Sequence, residues 1–314
     1  MLADPIEIAP PDIGAYRTGN TGIPYATSFD SGKPGPHVFL TAIVHGNELC
    51  GAITLDFLFR EKIRPKRGRM TLAFCNIAAF MRFNPDNPSA SRFVDEDFNR
   101  VWSLERLGGS QHSAELLRAR ELRPLVDSAD YLLDIHSMQQ ATAPLMMCGP
   151  LEKGRRFARD IGVPELIVSD EGHAAGRRMR DYGGFGDPAS PKNALLVECG
   201  QHWEARSVDV AKESALRFLA TLDMIEPGEL ARFKLPPKPA RQKTIEVTDA
   251  VTIAADQFTF ASGYRGLEVI PRRGTEIGRD GGRPVVTPYD DCVLIMPSRR
   301  LTRGQTAVRL GRFI

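Results

Sequence analysis

Apolar runs and amphipathic windows alternate along the first two thirds of the chain. Residues 38–44 (VFLTAIV) form an apolar run, which is typical of a strand that is buried on both faces. Residues 50–60 (CGAITLDFLFR) instead space their apolar side chains as one face of a helix does. The same reasoning predicts strands at residues 70–75, 131–135 and 193–198, and helices at residues 113–128, 151–161 and 209–225. This alternation favours an α/β fold, a wound sheet with helices on both faces.

The pattern changes at residues 234–243 (KLPPKPARQK), which are rich in proline and lysine and are typical of an extended linker. The sequence GRDGGRP at residues 278–284 predicts a hairpin. Short β-type runs separated by turn residues follow the linker, at residues 244–247, 266–270, 292–296 and 306–310. The predicted organisation is therefore an α/β catalytic domain at 1–233, a linker at 234–243 and a small all-β domain at 244–314.

Composition and charge restrict the class of protein. Hydrophobic residues make up 42% of the 314 residues and charged residues 25%, which are ordinary values for a globular protein. The net charge of +2 gives no reason to expect nucleic acid or a membrane surface as partner. Residues 1–14 lack the features of a signal peptide, and no run approaches the ~20 apolar residues of a membrane span. Together with five scattered cysteines, which suit reduced thiols, this predicts a cytoplasmic protein.

Polar side chains gather where the predicted strands end. They are His45 and Glu48 after the first strand, Arg92, Asn99 and Arg100 after the second, His136 at the end of the third and Glu198 at the end of the fourth. In an open α/β sheet, ligands bind in the crevice beyond the carboxyl ends of the strands. Two histidines, two glutamates and several arginines at four successive strand ends therefore predict one shared site.

The residue types in this set match a metal centre. Two neutral imidazoles and one carboxylate make a catalytic zinc set whose fourth position is left to water. His45, Glu48 and His136 supply these groups, so we expect one Zn²⁺ per chain. Zinc lowers the pKa of its bound water toward ~7, and Glu198 is the remaining acid at this edge of the sheet, available as general base. Taken alone, His45 and Glu48 would fit a solvated loop equally well, but the other clusters favour the metal.

Arg92, Asn99 and Arg100 offer groups that suit a substrate. Arg92 could stabilise the oxyanion that forms when the scissile carbonyl becomes tetrahedral. Asn99 and Arg100 present an amide and a planar guanidinium, which suit a substrate carboxylate. The structural alternative is that Arg92 and Arg100 form ion pairs with Asp95 and Asp97, and this alternative is stronger for Arg92.

Other side chains near these motifs have simpler interpretations. Asp134 lies two residues before His136. It either orients the His136 ring or has no role in the predicted metal site, and neither interpretation is favoured. Cys199 is expected to be a buried inert thiol, because no Cys/His/Asn set accompanies it. The remaining histidines are expected to be structural or at the surface: His37, His112, His173 and His202.

Four motifs occur together: HGNE at residues 45–48, R-x-x-D-x-D-x-N-R at 92–100, D-x-H-S at 134–137 and V-E-x-G at 197–200. As a set they resemble the succinylglutamate desuccinylase/aspartoacylase family of zinc amidohydrolases, relatives of the zinc carboxypeptidases. The resemblance implies a zinc-carboxypeptidase-like wound mixed sheet flanked by helices, followed by a smaller β domain. The implied roles are zinc ligands for His45, Glu48 and His136, general base for Glu198, carbonyl polariser for Arg92, and α-carboxylate binding for Asn99 with Arg100.

The sequence thus predicts zinc-dependent hydrolysis of the amide bond of an N-acyl amino acid or a similar small amide. The alternatives are a zinc carboxypeptidase acting on peptides and a non-catalytic zinc or amino-acid binding protein. Three ligands with a spare acid favour catalysis, because structural zinc sites are usually closed by four protein ligands. The expected partner is a small N-acyl amino acid. The acyl group, the amino acid, the residues that recognise its side chain and a possible homo-oligomer stay open.

Overall fold

The fold is that of a computed structural model, which describes residues 5–172 and 175–314. His173 falls outside the described residues. The strands are β1 Ala26–Asp30, β2 His37–Ala42, β3 Arg69–Phe74, β4 Tyr131–Met138, β5 Leu145–Met147, β6 Leu166–Ser169, β7 Asn193–Gln201, β8 Lys243–Thr252, β9 Phe258–Phe260, β10 Val269–Ile270, β11 Glu276–Asp280, β12 Arg283–Val286, β13 Cys292–Ile295 and β14 Thr306–Phe313. The α-helices are α1 Leu49–Arg60, α2 Ile77–Phe80, α3 Leu104–Gly108, α4 Ala114–Ser128, α5 Glu152–Ile161, α6 Ala205–Thr221 and α7 Pro227–Ala231.

In the described chain, most strands belong to one mixed sheet with the order β1-β3-β2-β4-β7-β5-β6-β8-β14-β13-β10. The centre of the sheet is parallel, because β2 pairs with β3 and β4, and β4 pairs with β7. Side chains of β2 alternate between two cores, with Leu40 on the face that α1, α5 and α6 cover and Phe39 on the face that α4 covers. The predicted α/β sheet with helices on both faces is therefore confirmed.

Local sequence signals explain several element boundaries. Helix α4 begins after Ser113, whose hydroxyl oxygen accepts a hydrogen bond from the Leu116 N–H at 3.0 Å, as an N-cap does. Strands β4 and β7 extend past their predicted ends to Met138 and Gln201, so His136 and Glu198 lie inside the strands rather than at their ends. The extension does not move the two side chains to another edge of the sheet.

Strands β1, β5, β6 and β9 were not predicted from the sequence. Strands β5 and β6 have only three and four residues, and both are buried throughout. Runs this short carry no periodicity that separates a strand from a buried loop or helix. Their existence depends on pairing with β7 and β8, which are distant in sequence.

The chain from residue 243 onward contains strands and turns within the described residues. The predicted hairpin is confirmed: β11 and β12 pair antiparallel, and Gly281 and Gly282 between them have φ of +55° and +85°. Two positive φ angles are what the tight turn of a hairpin requires, and glycine adopts them without a Cβ clash. Strand β8 pairs in parallel with β6, so the C-terminal strands continue the large sheet. The domain limits 1–233, 234–243 and 244–314 stay a prediction.

Burial corrects one expectation about a histidine. His37, expected at the surface, is buried as the first residue of β2, with Nε2 2.7 Å from Thr71 Oγ1.

The five cysteines all lie in the described part of the chain and are buried free thiols, Cys199 among them. None of the helices in the described chain combines the length and the apolar character needed to cross a bilayer.

Candidate active site

Adjacent strands and one tight turn bring the predicted ligands together. His136 on β4 and Glu198 on β7 are register partners in neighbouring parallel strands. His45 and Glu48 lie in the turn between β2 and α1, where the Glu48 N–H donates to the His45 carbonyl at 3.1 Å. A Cβ on the intervening Gly46 would lie 2.4 Å from backbone atoms of Ala79, Phe80 and Ser91, so only glycine fits this turn.

His45, Glu48 and His136 converge on one small volume. One ligand atom from each, a ring nitrogen or a carboxylate oxygen, lies within 4.8 Å of the others, and all three residues are buried. Glu48 is central: Oε1 lies 2.7 Å from Nδ1 of His45, and Oε2 lies 2.8 Å from Nδ1 of His136. Although burial opposes it, the two imidazoles hold the pKa of Glu48 well below its usual range. The group can hold a metal ion, with both Nδ1 atoms turned toward the shared carboxylate.

A carboxylate lies at hydrogen-bond distance from the second ring nitrogen, Nε2, of each histidine. Asp134 Oδ2 lies 2.8 Å from Nε2 of His136, and Asp134 in turn accepts a hydrogen bond from the Thr41 hydroxyl at 2.8 Å. Asp97 Oδ1 lies 3.0 Å from Nε2 of His45, a contact that the sequence analysis did not anticipate. Carboxylates at this position fix the ring and leave the other nitrogen free to bind metal.

Arg92 contacts the same group from the loop after β3. Its Nη2 lies 3.1 Å from Asp97 Oδ2 and 2.9 Å from His45 Nε2, and its Nη1 lies 3.5 Å from Glu48 Oε1. The ion pair with Asp97, which is the structural alternative for Arg92, is therefore present. Arg92 also lines the cavity beside the three ligand-capable residues, so the pairing does not remove it from the site.

Asn99 and Arg100 lie on a short 3₁₀ turn in the same loop, directly after Asp97. Asn99 Oδ1 accepts from the Met179 N–H at 3.0 Å, and its Nδ2 lies 3.3 Å from His136 Nε2. Arg100 Nη1 donates to the Asn99 carbonyl at 2.7 Å and lies 3.9 Å from Asp97. Burial lowers the pKa of Arg100 to about 10, which still leaves it a cation at neutral pH. The Asn99 amide is thus engaged by protein groups, whereas Arg100 presents a charge to the cavity.

Glu198 differs electrostatically from Glu48. Its side chain is buried, and Oε2 has no hydrogen-bond partner among the residues that the structure describes. Burial raises the pKa of Glu198 to about 8, with the neighbouring Glu48 charge acting in the same direction and His136 and Arg92 acting against it. Perturbed carboxyl groups of this kind are concentrated at functional sites.

A cavity of about 480 Å³ contains all seven predicted site residues. Its wall also includes residues that the sequence analysis did not assign to the site, among them Arg178, His202, Arg300 and Arg309. Asp170 joins two of them, lying 3.0 Å from both Arg178 Nη1 and Arg309 Nε. Arg309 comes from β14, far along the chain and outside any recognised motif, so only the folded sheet reveals its position.

Glu115 on α4 holds the loop that carries Arg92 and Asp97. Its fully buried carboxylate accepts hydrogen bonds from three successive backbone N–H groups, those of Val94, Asp95 and Glu96, at 2.6, 3.0 and 3.2 Å. It also accepts from the Asn76 amide at 2.9 Å. The shape of this loop therefore depends on one buried charge.

Replacing Glu115 with alanine is expected to destabilise the protein by about 3 kcal/mol or more, because buried N–H groups lose a charged acceptor. Urea unfolding measures the change, and Glu121→Ala on the same helix is the control. Glu121 is exposed and pairs with Arg118, so its loss should change the free energy of unfolding by less than about 1 kcal/mol. Equal effects of the two substitutions would contradict the role given to Glu115.

Comparisons with known proteins identify a family model and two curated relatives that this chain matches. A family model described as the succinylglutamate desuccinylase/aspartoacylase catalytic domain matches residues 34–226. The succinylglutamate desuccinylase of Shewanella amazonensis is 23% identical over 310 residues, covering 88% of this chain and 82% of that protein. The N-acyl-aromatic-L-amino acid amidohydrolase (carboxylate-forming) of Rattus norvegicus is 29% identical over 129 residues, covering 37% of this chain and 38% of that protein.

Solved structures share the fold at low sequence identity. The succinylglutamate desuccinylase of Chromobacterium violaceum has a TM-score of 0.65 at 14% identity, covering 93% of this chain and 89% of that one. The product-bound ectoine utilization protein EutE (DoeB) of Ruegeria pomeroyi has a TM-score of 0.62 at 17% identity, covering 91% and 88%. Since the family model spans well over half of its residues, this chain belongs to the succinylglutamate desuccinylase/aspartoacylase family.

Proposed function

We propose that this protein is a zinc-dependent amidohydrolase that cleaves the amide bond of an N-acyl amino acid. The observation that carries the proposal is the combination, in one cavity, of three convergent ligand groups and a separate buried carboxyl group with a raised pKa. The first set suits a metal ion and the second suits a general base. The names of the two curated relatives, a desuccinylase and an amidohydrolase, support the same reaction class.

The donor set fits zinc. Two imidazole nitrogens and a carboxylate are borderline and hard ligands that zinc accepts, and no cysteine is among them. Asp134 and Asp97 fix the rings so that both Nδ1 atoms face Glu48. One Zn²⁺ per chain would be held by His45, Glu48 and His136. When bound, it supplies a Lewis acid that makes water more acidic and polarises a carbonyl.

Glu198 is the proposed general base. In its ionised form, a carboxylate with a raised pKa binds a proton more strongly than an ordinary glutamate does, so that form is better suited to accept a proton from the attacking water. The same carboxyl group then donates that proton to the amine that leaves. Its lack of a hydrogen-bond partner in the described chain leaves Oε2 available for this exchange.

Arg92 and Arg100 are the residues that we propose contact the substrate. Arg92 lies beside the ligand set, where its guanidinium would stabilise negative charge developing on the carbonyl oxygen. Arg100 would bind the α-carboxylate, because a buried guanidinium recognises a carboxylate through two parallel hydrogen bonds. Asn99 holds the turn through Met179, so we assign it to shaping this subsite as well as to binding.

The cavity favours a small substrate over a peptide. The loop between β13 and β14 lines the cavity, and Arg300 Nη2 donates to the Ser89 carbonyl at 2.7 Å while Arg299 Nη2 donates to Gln140 Oε1 at 2.8 Å. These contacts tie that loop to two segments of the N-terminal part at the cavity wall. A long chain passing through would have to break them.

The test is a panel of N-acetyl, N-succinyl and N-aroyl amino acids incubated with the zinc-loaded protein, with released amine as the readout. We expect turnover of at least one member, loss of turnover with a chelator, and recovery when zinc is added back. Peptides with free C-termini serve as the comparison. Release of C-terminal residues from peptides, with no member of the panel hydrolysed, would contradict the proposal.

A further inference from the structure

A β-bulge lies beside the candidate metal site, where β4 pairs with β7. The pair formed by His136 and Glu198 is followed by the pair formed by Met138 and Gln201. Between these pairs β4 has one residue, Ser137, whereas β7 has two, so the register of the strands shifts by one residue. Bulges are common next to active sites, where they redirect a group of the chain. Because Ser137 directly follows a proposed metal ligand, its backbone and side chain are the groups that this bulge places at the site.

The backbone of Ser137 contacts the carboxylate at the centre of the site. Ser137 is buried, and its N–H donates to Oε2 of Glu48 at 3.3 Å. In the described chain, the other groups near this carboxylate are side chains, those of His45, His136 and Arg92. An Nδ1 atom that binds a metal ion carries no proton, so neither imidazole could then donate to Glu48. The Ser137 N–H would remain as the donor that orients Oε2.

His202 is the hydrogen-bond partner of the Ser137 side chain. The residue directly follows β7 and is buried, and its Nδ1 lies 2.9 Å from the Ser137 hydroxyl oxygen. The His202 N–H also donates to the Met138 carbonyl at 2.9 Å. His202 therefore contacts two successive residues of β4, at the position of the bulge.

The direction of this hydrogen bond follows from the protonation of the ring. Burial lowers the pKa of His202 to about 3, so the ring is neutral near pH 7 and one of its nitrogens is an acceptor. A Ser137 hydroxyl that did not donate to Nδ1 would leave its proton without an acceptor in the described chain. Ser137 therefore donates, and the ring proton lies on Nε2, which has no hydrogen-bond partner in residues 5–172 or 175–314. Among those residues, the hydrogen bond of the ring is the one to Ser137.

We propose that His202 is a positioning residue for the metal site: it accepts the hydroxyl proton of Ser137 and so holds the Ser137 N–H against the Glu48 carboxylate. The inference rests on the proposed function, which makes Glu48 a zinc ligand, and deepens it by naming a residue that supports this ligand. Loss of a group that orients a metal ligand typically lowers metal affinity or activity by 10- to 100-fold. Because His202 acts through Ser137, we expect an effect at the lower end of this range, roughly 10-fold in zinc affinity.

The experiment measures the zinc dissociation constant of the full-length variants by competition with a chromophoric chelator. His202→Leu replaces the ring with an apolar side chain of similar size, and it should weaken zinc binding roughly 10-fold. Ser137→Ala deletes the hydroxyl but keeps the backbone N–H, and it should have a similar effect. The variant with both substitutions should lose no more than either single variant, because both remove the same contact. His202→Asn places an amide oxygen near the position of Nδ1 and should recover part of the affinity.

His37→Leu is the matched control. His37 is also a buried histidine whose Nδ1 contacts a serine hydroxyl, that of Ser128 at 3.2 Å, and it does not line the cavity. Its loss should lower the melting temperature without changing the zinc dissociation constant. The visible absorption spectrum of the cobalt-substituted protein, which reports the arrangement of the metal ligands, should change in His202→Leu but not in His37→Leu.

Wild-type zinc affinity in a folded His202→Leu variant would overturn the inference, and so would an equal loss of affinity in His37→Leu. Effects of Ser137→Ala and His202→Leu that add in the double variant would overturn it too. If His202→Leu does not fold, Ser137→Ala decides, because an unchanged affinity in that variant would contradict the role of the contact. A wild-type protein that binds no zinc would count against the proposed function instead.

Discussion

Replacing Glu198 with glutamine is expected to lower kcat by about 10³-fold while the protein keeps its metal, because a general base typically contributes 10²- to 10⁴-fold. Glutamine keeps the shape of the side chain but cannot accept the proton of water. Glu198 is not one of the three convergent ligands, so the metal content should stay at the wild-type level. The measurement is steady-state kinetics on the best substrate of the panel, with metal analysis of the same sample.

A stability measurement separates a loss of chemistry from a loss of fold. Glu198 is a buried carboxyl group that burial disfavours in its charged form, so a neutral amide should not lower the melting temperature. Glu165→Gln is the matched control: this exposed glutamate pairs with Lys243, neither residue lines the cavity, and the substitution should leave kcat unchanged. Wild-type turnover in the Glu198→Gln variant would remove the proposed base.

Removing one of the proposed metal ligands should strongly weaken zinc binding and lower turnover. His45→Ala or His136→Ala deletes one of the three side chains that are proposed to bind zinc. Loss of an outer partner alone typically costs 10- to 100-fold in affinity or activity, so we expect the loss of a ligand to weaken zinc binding by more than about 100-fold. Metal analysis after dialysis against a weak chelator measures the retained zinc, and amine release measures the activity.

Two further variants calibrate this result. Asp134→Asn keeps all three proposed ligands and changes only the group on His136 Nε2, so its effect should be smaller than that of His136→Ala. His112→Ala removes an exposed histidine and should change neither zinc content nor turnover. Zinc retained at the wild-type level in both ligand variants would mean that the ion binds elsewhere.

The parts of the fold that could be predicted are those with strong local patterns. The run at residues 38–44 and the amphipathic window at 50–60 were sufficient to predict β2 and α1, because a doubly buried strand and a helix that packs on it have distinct periodicities. The turn between them carries His45 and Glu48, so the proximity of these two side chains could be predicted with it. Strands β5 and β6 are too short to show such a pattern. They form by pairing with β7 and β8, which lie far away in sequence.

The contacts within the site also divide into those that could be predicted from the sequence and those that could not. Motif residues at strand ends could be predicted to meet, because parallel strands bring their carboxyl ends to one edge of the sheet. The contact of Asp97 with His45 Nε2 could not, because a nearby arginine offered an equally reasonable ion pair. Arg309 and Glu115 belong to no motif, and their roles depend on packing between distant elements.

His202 was interpreted from the sequence as a structural histidine, and its hydrogen bonds to Ser137 and Met138 agree with that in part. What the sequence could not indicate is that Nε2 remains unpaired at the cavity wall in the described chain. Hydrogen-bond satisfaction is a property of the folded environment rather than of residue type.

One crystallographic measurement tests the central claim most directly. Anomalous diffraction at the zinc absorption edge, on crystals of the zinc-loaded protein, locates the ion without reference to activity. We predict a single peak per chain at about 2.0–2.2 Å from a Glu48 carboxylate oxygen and from Nδ1 of both His45 and His136. A peak that none of these three side chains touches, or a fully loaded site closed by a fourth protein ligand, would contradict the account.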